Sequence, residues 1–500
     1  MIVHGFIKIN SKKTYKTKCN VLIVGFGPTG SVLANLLSKY NITIHILEKE
    51  NEIYNLPRAV HFDDEIMRTF KSIGIFKKFL KKTIINKGTK FVDEYDNLIL
   101  DWPRPKKITE NGFYPSYRFH QPDLEKILRK NLIKNKKVKI IYNSELLEIS
   151  DKGDVVSAKY LDKVSNSCQI INADYVVGCD GANSFVKEYI SQEIIDFGFE
   201  EKWAVIDLIM KQNKNNLPDR TIQYCSKKTP ATYCRNVGRR RRWEFSLDKN
   251  SVDKEILNDD KIWHFLSKWI TPEDATIERK TIYTFKSLIA KKWKKGRVFI
   301  AGDAAHLSPP FMGQGMCSGI RDVSNLFWKI AYCCNFGHKE KLLKTYESER
   351  LKNVKEYIIT TINMGRLLNS IGDTNVSNTV KEEKDGSKKM TSIKPPLGPG
   401  LGNKKDKLRG KIFPYINLQN SNVSNFDTQF ETELVLLSKQ NVDNKKIKHI
   451  NVNKYEEVMK VFNRLNISAL ILRPDRFILS SLNDNSKIND FIEKSTLQFC

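Results

Sequence analysis

The sequence predicts an α/β protein in which a parallel sheet is interrupted by an antiparallel one. Residues 20–48 read as strand, glycine turn, helix and strand, which is one βαβ unit. From about 190 to 290 the pattern changes to short alternating segments such as "WAVIDLIM" and "RRWEFSL". The stretch "GRVFIAGD" and the long helical stretch after it return to the first pattern. At 500 residues the chain is long enough for two or three domains.

The elements of the first part follow from local patterns. An apolar run ends at Gly25, "SVLANLLSKY" has helical spacing, and "ITIHILE" returns to strand. Further helices are predicted at "DDEIMRTFKSIGIFKKFLKK" and at "QPDLEKILRKNL", where Pro122 suits a first helical turn. Strands are predicted at "VKIIYNSELLEIS" and "ADYVVGCDG", and "MCSGIRDVSNLFWKIAYCC" is predicted to be a long helix.

Composition excludes several classes of protein. The net charge is +27, but the lysines are spread along the chain and form no recognised nucleic-acid-binding module, so no nucleic-acid partner is predicted. Nine cysteines at irregular spacings include no CxxC pair, which predicts reduced thiols and no metal site. No apolar run reaches the roughly 18 residues of a membrane span. The basic amino-terminal extension lacks a secretory signal pattern, so we expect a cytoplasmic protein.

A glycine motif opens the first predicted helix. Gly25, Gly27 and Gly30 form GxGxxG after a strand: the first allows a tight turn, the second lets the backbone approach a pyrophosphate, and the third lets the helix pack on the strand. Glu48 ends the next strand, where a carboxylate can bind ribose hydroxyls. The motif fits FAD and NAD equally.

Two further turns place an acid at a strand end. Asp180 and Gly181 lead into one helix, and Gly302 and Asp303 precede a proline and glycine turn, "AGDAAHLSPPFMGQG". An aspartate at such a position is often only a helix cap. Three strand-to-helix turns of this type in one chain favour a shared ligand.

The ordered set GxGxxG, DG and GD resembles the flavoprotein aromatic hydroxylases, the single-component FAD monooxygenases. The stretches "PRAVHFDDE", "YRFHQPDLEKILR", "RRRWEF", "YTFKSLIAKKW" and "GRVFIAGDAAHLSPPFMGQGMCSGIRDVSNLFWKI" resemble the 3-(3-hydroxyphenyl)propionate hydroxylase branch of that family. The resemblance covers about residues 18–365.

The resemblance implies an NAD(P)H-dependent FAD monooxygenase. Such an enzyme hydroxylates a phenolic aromatic acid ortho to its hydroxyl, with O2, through a flavin C4a-hydroperoxide. The implied substrates are 3-(3-hydroxyphenyl)propionate or 3-hydroxycinnamate, in aromatic catabolism. Three alternatives stay open: a hydroxylase of another phenol, such as a resorcinol-like or polyketide aromatic compound; a nicotinamide dehydrogenase, which would leave the DG and GD sites unexplained; and a basic binding protein without catalysis.

The resemblance also implies which residues hold the cofactor. These are Gly25, Gly27, Pro28, Thr29, Gly30, Glu48, Lys49, Arg58, Gln121, Asp180, Gly181, Gly302, Asp303, Gly313, Gly315 and Met316. Asp303 would bind the ribityl hydroxyls and Arg58 the pyrophosphate. Asp180 would serve both FAD and NAD(P)H, and the family's arginine that usually closes the DG motif is Lys187 here, which loses the bidentate fork.

The flavin-facing residues are expected at His306, Pro309, Gly313 and Gln314, where backbone N–H groups would stabilise negative charge on the reduced ring. No protein nucleophile is expected, since the cofactor carries the chemistry. For His306, packing of the turn is an equal alternative. The base that deprotonates the phenol is not identified.

Substrate contacts are expected from the inserted sheet, at Tyr224, Tyr233, Arg242 and Trp243. Arg242 would bind the propionate carboxylate. The alternative is that Arg239 to Arg242 form a solvated hairpin.

The implied fold is α/β: a Rossmann-like FAD-binding domain with an inserted antiparallel-sheet substrate domain, the para-hydroxybenzoate hydroxylase-like fold, and a small C-terminal α/β domain. The expected boundaries are 18–190 and 291–370 for the two parts of the FAD-binding domain, 191–290 for the substrate domain, 371–411 for a linker and 412–500 for the C-terminal domain. The segment "ISALILRPDRFIL" resembles the end of a thioredoxin-like domain, here reduced and without CxxC. We expect it to provide packing or dimer contacts, and a homodimer stays open.

Overall fold

The structure is a computed structural model that describes residues 16–212, 216–369, 380–418, 425–430, 432–444 and 447–496. The predicted amino-terminal extension up to residue 15, and residues 371–379 of the predicted linker, lie outside these ranges. No helix in these ranges combines the length and the apolar character needed to cross a bilayer.

The first part of the chain carries strands and helices in alternation. In order, they are β1 (Lys16–Val24), α1 (Pro28–Leu37), β2 (Ile44–Leu47), β3 (His61–Asp63), α2 (Asp64–Ser72), α3 (Phe76–Leu80), β4 (Thr83–Ile85), β5 (Gly88–Val92), β6 (Leu98–Pro103), β7 (Ser116–Phe119), α4 (Gln121–Leu132), β8 (Val138–Ile141), β9 (Ser144–Asp151), β10 (Val156–Asp162), β11 (Ser167–Gly178) and α5 (Phe185–Ile190). The helix predicted at "QPDLEKILRKNL" is confirmed as α4. The one predicted at "DDEIMRTFKSIGIFKKFLKK" is divided into α2 and α3, with Gly74 between them at a φ of 79°.

The middle of the chain is mostly antiparallel. Its elements are β12 (Ile194–Met210), β13 (Thr221–Tyr224), β14 (Ala231–Arg235), β15 (Arg240–Leu247), α6 (Asp253–Ile256), α7 (Asp259–Leu266) and β16 (Ala275–Ala290). The chain then returns to the first domain with β17 (Lys294–Lys295), β18 (Val298–Ile300), β19 (His306–Leu307), α8 (Gly315–Phe336) and α9 (Glu340–Asn369).

The last part adds a hairpin and a small α/β unit. Its elements are β20 (Val380–Glu382), β21 (Lys388–Met390), β22 (Val435–Ser438), β23 (Lys448–Asn451), α10 (Glu456–Leu465), β24 (Ala469–Leu472), β25 (Ile478–Leu482) and α11 (Ile488–Thr496). The segment predicted as a linker thus contains the β20–β21 hairpin, because its polar strands lie at a sheet edge and need no apolar pattern.

Two large sheets organise the described residues. One has the order β17-β18-β11-β1-β2-β8, in which β18, β11, β1, β2 and β8 are parallel, and β9 and β10 extend it through β11. The other has the order β19-β16-β12-β15-β14-β13-β5-β6-β21-β20 and so recruits strands from outside 191–290. A four-stranded sheet, β23-β22-β24-β25, forms the C-terminal unit. The predicted α/β fold with an inserted antiparallel sheet is confirmed.

Helix α1 packs on β1 of the parallel sheet and against helices α4 and α8. The second half of β1 and most of α1 are buried, including Val21, Leu22, Val32 and Leu33. This burial explains the continuous apolar run at β1, since a parallel strand covered on both faces needs no alternation.

Candidate active site

The three glycine and acid motifs lie together at one edge of the parallel sheet. β1 ends at Val24, and its neighbours β2, β11 and β18 end at Leu47, Gly178 and Ile300. Because parallel strands place their carboxyl ends at the same edge, the loops that follow them meet there. This edge is therefore the candidate cofactor site.

The glycines of the first motif have different roles. Gly25 has a φ of 96°, and a Cβ on it would lie 2.4 Å from the carbonyl oxygen of Cys179, in the second motif. A Cβ on Gly30 would lie 2.1 Å from the oxygen of Gly25. A Cβ on Gly27 would meet nothing within 4 Å, so the amino end of α1, with Pro28 and Thr29, borders open space.

Glu48 holds the glycine turn. Its two carboxylate oxygens accept the N–H groups of Phe26, at 2.8 Å, and Glu50, at 3.0 Å. Both oxygens keep a further lone pair for a ribose hydroxyl. Lys49 is exposed beside it.

The third motif packs directly on the first. Gly302 has a φ of 65°, and a Cβ on it would lie 2.7 Å from the Thr29 hydroxyl oxygen. The Asp303 side chain is exposed, whereas its neighbours Gly302 and Ala304 are buried. Desolvation by the surrounding protein raises the pKa of Asp303, and the charge of Arg58 acts in the opposite direction. Asp303 is thus an exposed acid at the edge where the three motifs meet.

The turn after Pro309 places the amino end of α8 at the carboxyl edge of the parallel sheet. A 3-10 turn over Pro310–Met312 ends at Gly313, whose φ is 64° and whose N–H donates to the Pro310 carbonyl at 2.7 Å. The Gly313 amide is therefore used within the turn. The first-turn amides of α8, at Gly315 and Met316, have no helical partner one turn earlier and are the better candidate donors to a flavin oxygen.

His306 takes the packing role that the sequence also allowed. It is 3% exposed, its Nε2 lies 2.7 Å from an Asp322 carboxylate oxygen, and its ring packs on Trp293. Asp322 also accepts the Gly302 N–H at 3.0 Å and binds Arg350. His306 thus holds the Gly302 turn through Asp322, and its flavin-facing role stays a prediction.

Gln314 is fixed by a buried group of charges that sequence reasoning missed. Its Oε1 accepts a hydrogen bond from Arg321 at 2.9 Å, and its Nε2 donates to Asp63 at 3.3 Å. Arg321 forms ion pairs with Asp63 and Glu65. Asp63 and Glu65 belong to the quoted "PRAVHFDDE", so their motif was the available signal.

Gln121, at the start of α4, holds the loop that carries Arg58. The Gln121 Oε1 accepts the Ala59 N–H at 2.7 Å, and its Nε2 donates to Glu125 at 2.8 Å. The Arg58 side chain is exposed and lies over the Tyr54 ring. Gln121 therefore positions the segment that presents Arg58 to the cleft.

Asp180 supports the amino end of α5, whose N-cap residue is Ser184. Its carboxylate accepts the Ser184 hydroxyl at 2.5 Å and the Val186 N–H at 3.2 Å, as the helix-cap alternative expected. Gly181 has a φ of 83°. The Lys187 Nζ donates to the Ala182 carbonyl at 3.1 Å, at the surface.

The register of the inserted sheet separates two faces. On the outer face, Tyr224, Tyr233 and Trp243 pack in a closed apolar cluster with Ile262 and Leu266 of α7. The Tyr224 hydroxyl accepts a hydrogen bond from Trp269. These three residues were predicted to contact substrate, and the structure places all of them in this apolar cluster, on the sheet face opposite to Arg242.

The inner face is polar and faces the first domain. It carries Asp207, Gln223, Thr232, Arg242 and Glu244, all of them buried. The Thr232 hydroxyl donates to Gln223 at 2.6 Å. Gln223 and Thr232 are each one residue from a predicted aromatic contact, and strict strand alternation was the signal that identifies them.

The Arg242 guanidinium makes hydrogen bonds to other groups of the protein. Its Nε donates to Asp207 at 2.7 Å, and its other nitrogens donate to the carbonyls of Pro57, at 2.7 Å, and Arg58, at 2.9 Å. Burial opposes its charge, but Asp207 raises the pKa of Arg242. Arg242 therefore fixes the loop that carries Arg58, and its contact with a substrate carboxylate stays a prediction.

These residues fit FAD. Open space at Gly27 next to a helix amino end suits a pyrophosphate, and Glu48 and Asp303 offer acceptors for sugar hydroxyls. The α8 amino end would face the flavin.

Comparisons with known proteins agree with this site. Residues 18–361 match the family model described as FAD binding domain. The chain is 38% identical over 352 residues to a probable NADH-specific resorcinol 4-hydroxylase of Rhodococcus jostii (strain RHA1), covering 70% of this chain and 65% of that protein. It is 31% identical over 360 residues to a 3-(3-hydroxy-phenyl)propionate/3-hydroxycinnamic acid hydroxylase of Burkholderia cenocepacia (strain HI2424), covering 71% of this chain and 65% of that protein.

Solved structures show the same fold along most of the chain. The flavin-dependent monooxygenase PieE, in complex with FAD and substrate, superposes with a TM-score of 0.77 at 16% identity, covering 97% of this chain and 99% of that one. The sequence matches span just under two thirds of the relatives' own length, 65% in both cases. The family match covers most of the chain, and we conclude that this protein belongs to the FAD binding domain family, with FAD as its cofactor.

Proposed function

We propose that this protein is an FAD-dependent monooxygenase that hydroxylates phenols with O2 and a reduced nicotinamide. The observation that carries the proposal is the meeting of the GxGxxG, DG and GD turns at one sheet edge, opposite a polar sheet face. A dehydrogenase would need only the first turn. The balanced reaction converts a phenol, O2, NAD(P)H and a proton into a dihydroxybenzene, water and NAD(P)+.

FAD, when bound, supplies the oxygen chemistry. The chain supplies binding and orientation: α1 presents its amino end to the pyrophosphate, and Glu48 and Asp303 accept hydrogen bonds from hydroxyls. The α8 amides at Gly315 and Met316 stabilise negative charge on the ring.

The inner sheet face supplies the other wall of the reaction site. Gln223 and Thr232 provide hydrogen-bonding groups there, and Glu244 is buried nearby. Burial raises the pKa of Glu244, and Arg242 opposes that shift. Polar groups of this kind can orient a phenol hydroxyl without forming a covalent bond to it.

The proposed substrates are 3-(3-hydroxyphenyl)propionate or 3-hydroxycinnamate. Resorcinol is the second candidate, because the relative with 38% identity is named for it. That name also supports NADH as the electron donor.

The test is O2 consumption by the FAD-loaded enzyme with NADH, with and without each phenol, while the dihydroxy product is quantified. The proposal expects stimulated consumption with about one product formed per O2. Bound FAD without product from any phenol would refute the monooxygenase, and failure to bind FAD would refute the site itself.

A further inference from the structure

A cavity of about 350 Å³ opens beside the flavin end of the candidate site. Its lining includes His61, Trp102, Arg104, Met312, Gln314 and Tyr357. Trp102 pairs in register with Thr89, and Thr89 with Thr221, which places Trp102 on the inner face of the large sheet. A cavity of this volume can enclose a small aromatic ligand.

Arg104 has unsatisfied hydrogen-bonding capacity in this lining. Its Nη1 is buried without a hydrogen-bond partner, and within the described ranges no acidic side chain forms an ion pair with it. The guanidinium carbon lies 3.9 Å from the centroid of the Trp102 ring. The Trp102 Nε1 is also buried without a partner. Two adjacent N–H donors thus lack an acceptor.

The acids of the lining are already neutralised by other groups. Asp63 and Glu65 are bound by Arg321, and Asp64 is bound by Lys394 at 3.2 Å and by the Thr109 hydroxyl. Glu110, the remaining acid of the lining, pairs with Arg464. Asp63 and Asp64 act on Arg104 only through their charge and form no ion pair with it within the described ranges. The local charge therefore favours an added anion at Arg104.

Leaving this guanidinium unpaired is costly. Burial and the nearby charge of Arg118 lower the pKa of Arg104 to about 9, although the charges of Asp63 and Asp64 act in the opposite direction. Arg104 is still charged at neutral pH. A carboxylate beside it would offset the desolvation and satisfy the free donor.

We infer that Arg104 and the indole N–H of Trp102 bind the carboxylate of an aromatic acid whose ring lies in this cavity. The inference rests on the proposed function and selects aromatic carboxylic acids over neutral phenols such as resorcinol. Arg104 thereby takes the role that the sequence gave to Arg242.

The test measures binding to the FAD-loaded enzyme by calorimetry, with two unreactive probes of one shape: 3-phenylpropionate and its neutral amide. The variants are Arg104→Gln, Arg104→Lys and Trp102→Phe. The matched control is Arg239→Gln, at an exposed arginine that binds the Lys211 carbonyl. FAD content and melting temperature report whether each variant is folded.

We expect the wild-type enzyme to bind the acid roughly 10- to 100-fold more tightly than the amide, as for a charge-assisted pair. Arg104→Gln should remove that preference with little effect on amide binding. Arg104→Lys should restore part of it, Trp102→Phe should weaken acid binding to a lesser extent, and Arg239→Gln should match the wild type.

Equal wild-type affinity for acid and amide would overturn the inference without any variant. So would unchanged acid affinity in a folded Arg104→Gln protein. A different result would show that only the proposed function is wrong. In that case the acid would still bind through Arg104, but no phenol would be hydroxylated.

Discussion

At the scale of single residues, burial decides which groups can carry charge. His61 is buried, its Nε2 lies 2.7 Å from the Ser116 hydroxyl oxygen, and its Nδ1 lies 3.3 Å from the Gly313 carbonyl oxygen. Burial lowers the pKa of His61 to about 3, and the charges of Arg118 and Arg104 act in the same direction. The imidazole is therefore neutral in the folded protein near neutral pH.

This shift predicts a pH-dependent stability. The unfolded chain, with a histidine pKa of 6.5, binds more protons than the folded chain between pH 3 and 6.5, so the free energy of unfolding falls as pH decreases through that window. From pH 6.5 to 5, His61 should contribute a loss of about 2 kcal/mol. Denaturant unfolding at both pH values should show a smaller loss for His61→Gln than for wild type.

The exposed His264→Gln variant is the control and should lose as much stability as wild type. Equal losses in wild type and His61→Gln would contradict the buried neutral imidazole.

At the scale of elements, two glycines of the first turn serve different purposes: Gly30 is needed for folding, and Gly27 is needed for cofactor binding. Gly30→Ala places a Cβ 2.1 Å from a backbone oxygen, whereas Gly27→Ala meets no protein atom. We expect Gly27→Ala to fold with the wild-type melting temperature but to bind FAD at least roughly 10-fold more weakly, because the methyl group would stand where a pyrophosphate approaches. Gly30→Ala should have a lower melting temperature than the wild type. Wild-type FAD affinity in Gly27→Ala would show that the pyrophosphate does not bind at this turn.

The two sheet faces give a second prediction at this scale. The Tyr233 hydroxyl is buried on the outer face beside Arg241, away from the polar inner face, so Tyr233→Phe should leave substrate KM nearly unchanged. Gln223→Leu, on the inner face, should raise substrate KM several-fold while FAD stays bound. Steady-state kinetics with the phenol test both, and a raised KM in Tyr233→Phe alone would reverse the assignment of the faces.

These faces show what sequence reasoning could and could not predict. The glycine turns and α4 were predictable because local spacing determines them. The choice of Tyr224, Tyr233 and Trp243 rested on residue type, and large aromatic side chains suit a core as well as a ligand; only the strand register shows that all three share one packed cluster. Asp207 is an acid within the apolar stretch "WAVIDLIM", and this pattern could have indicated a buried ion pair.

At the scale of the whole molecule, buried ion pairs tie the C-terminal part to the first domain. Arg473 donates two hydrogen bonds of 2.9 Å to Glu349 of α9, which also binds Lys329. Arg68 donates to both carboxylate oxygens of Asp427, at 2.6 and 2.7 Å. The C-terminal part was expected to provide packing contacts, and these ion pairs are packing contacts within a single chain. Sequence could not reveal these pairs, since the partners lie far apart along it.

Removing one partner should destabilise the whole protein. Burial opposes the charge of Glu349, but Arg473 and Lys329 lower its pKa, so it stays ionised. Arg473→Met would leave that charge undercompensated and should cost about 3–5 kcal/mol of unfolding free energy in denaturant titrations. Arg464→Met, which breaks a surface pair with Glu110, is the control and should cost little. A cost no larger than the control's would show that the network does not hold the molecule together.

The central claim is the monooxygenase reaction at the meeting of the three turns. Its most direct test is turnover of the FAD-loaded enzyme with NADH and 3-(3-hydroxyphenyl)propionate under 18O2, with mass spectrometry of the product. The proposed reaction predicts a dihydroxy product that carries one 18O atom per molecule. A product that carries oxygen from water, or NADH oxidation with no hydroxylated product from this acid or from resorcinol, would contradict it.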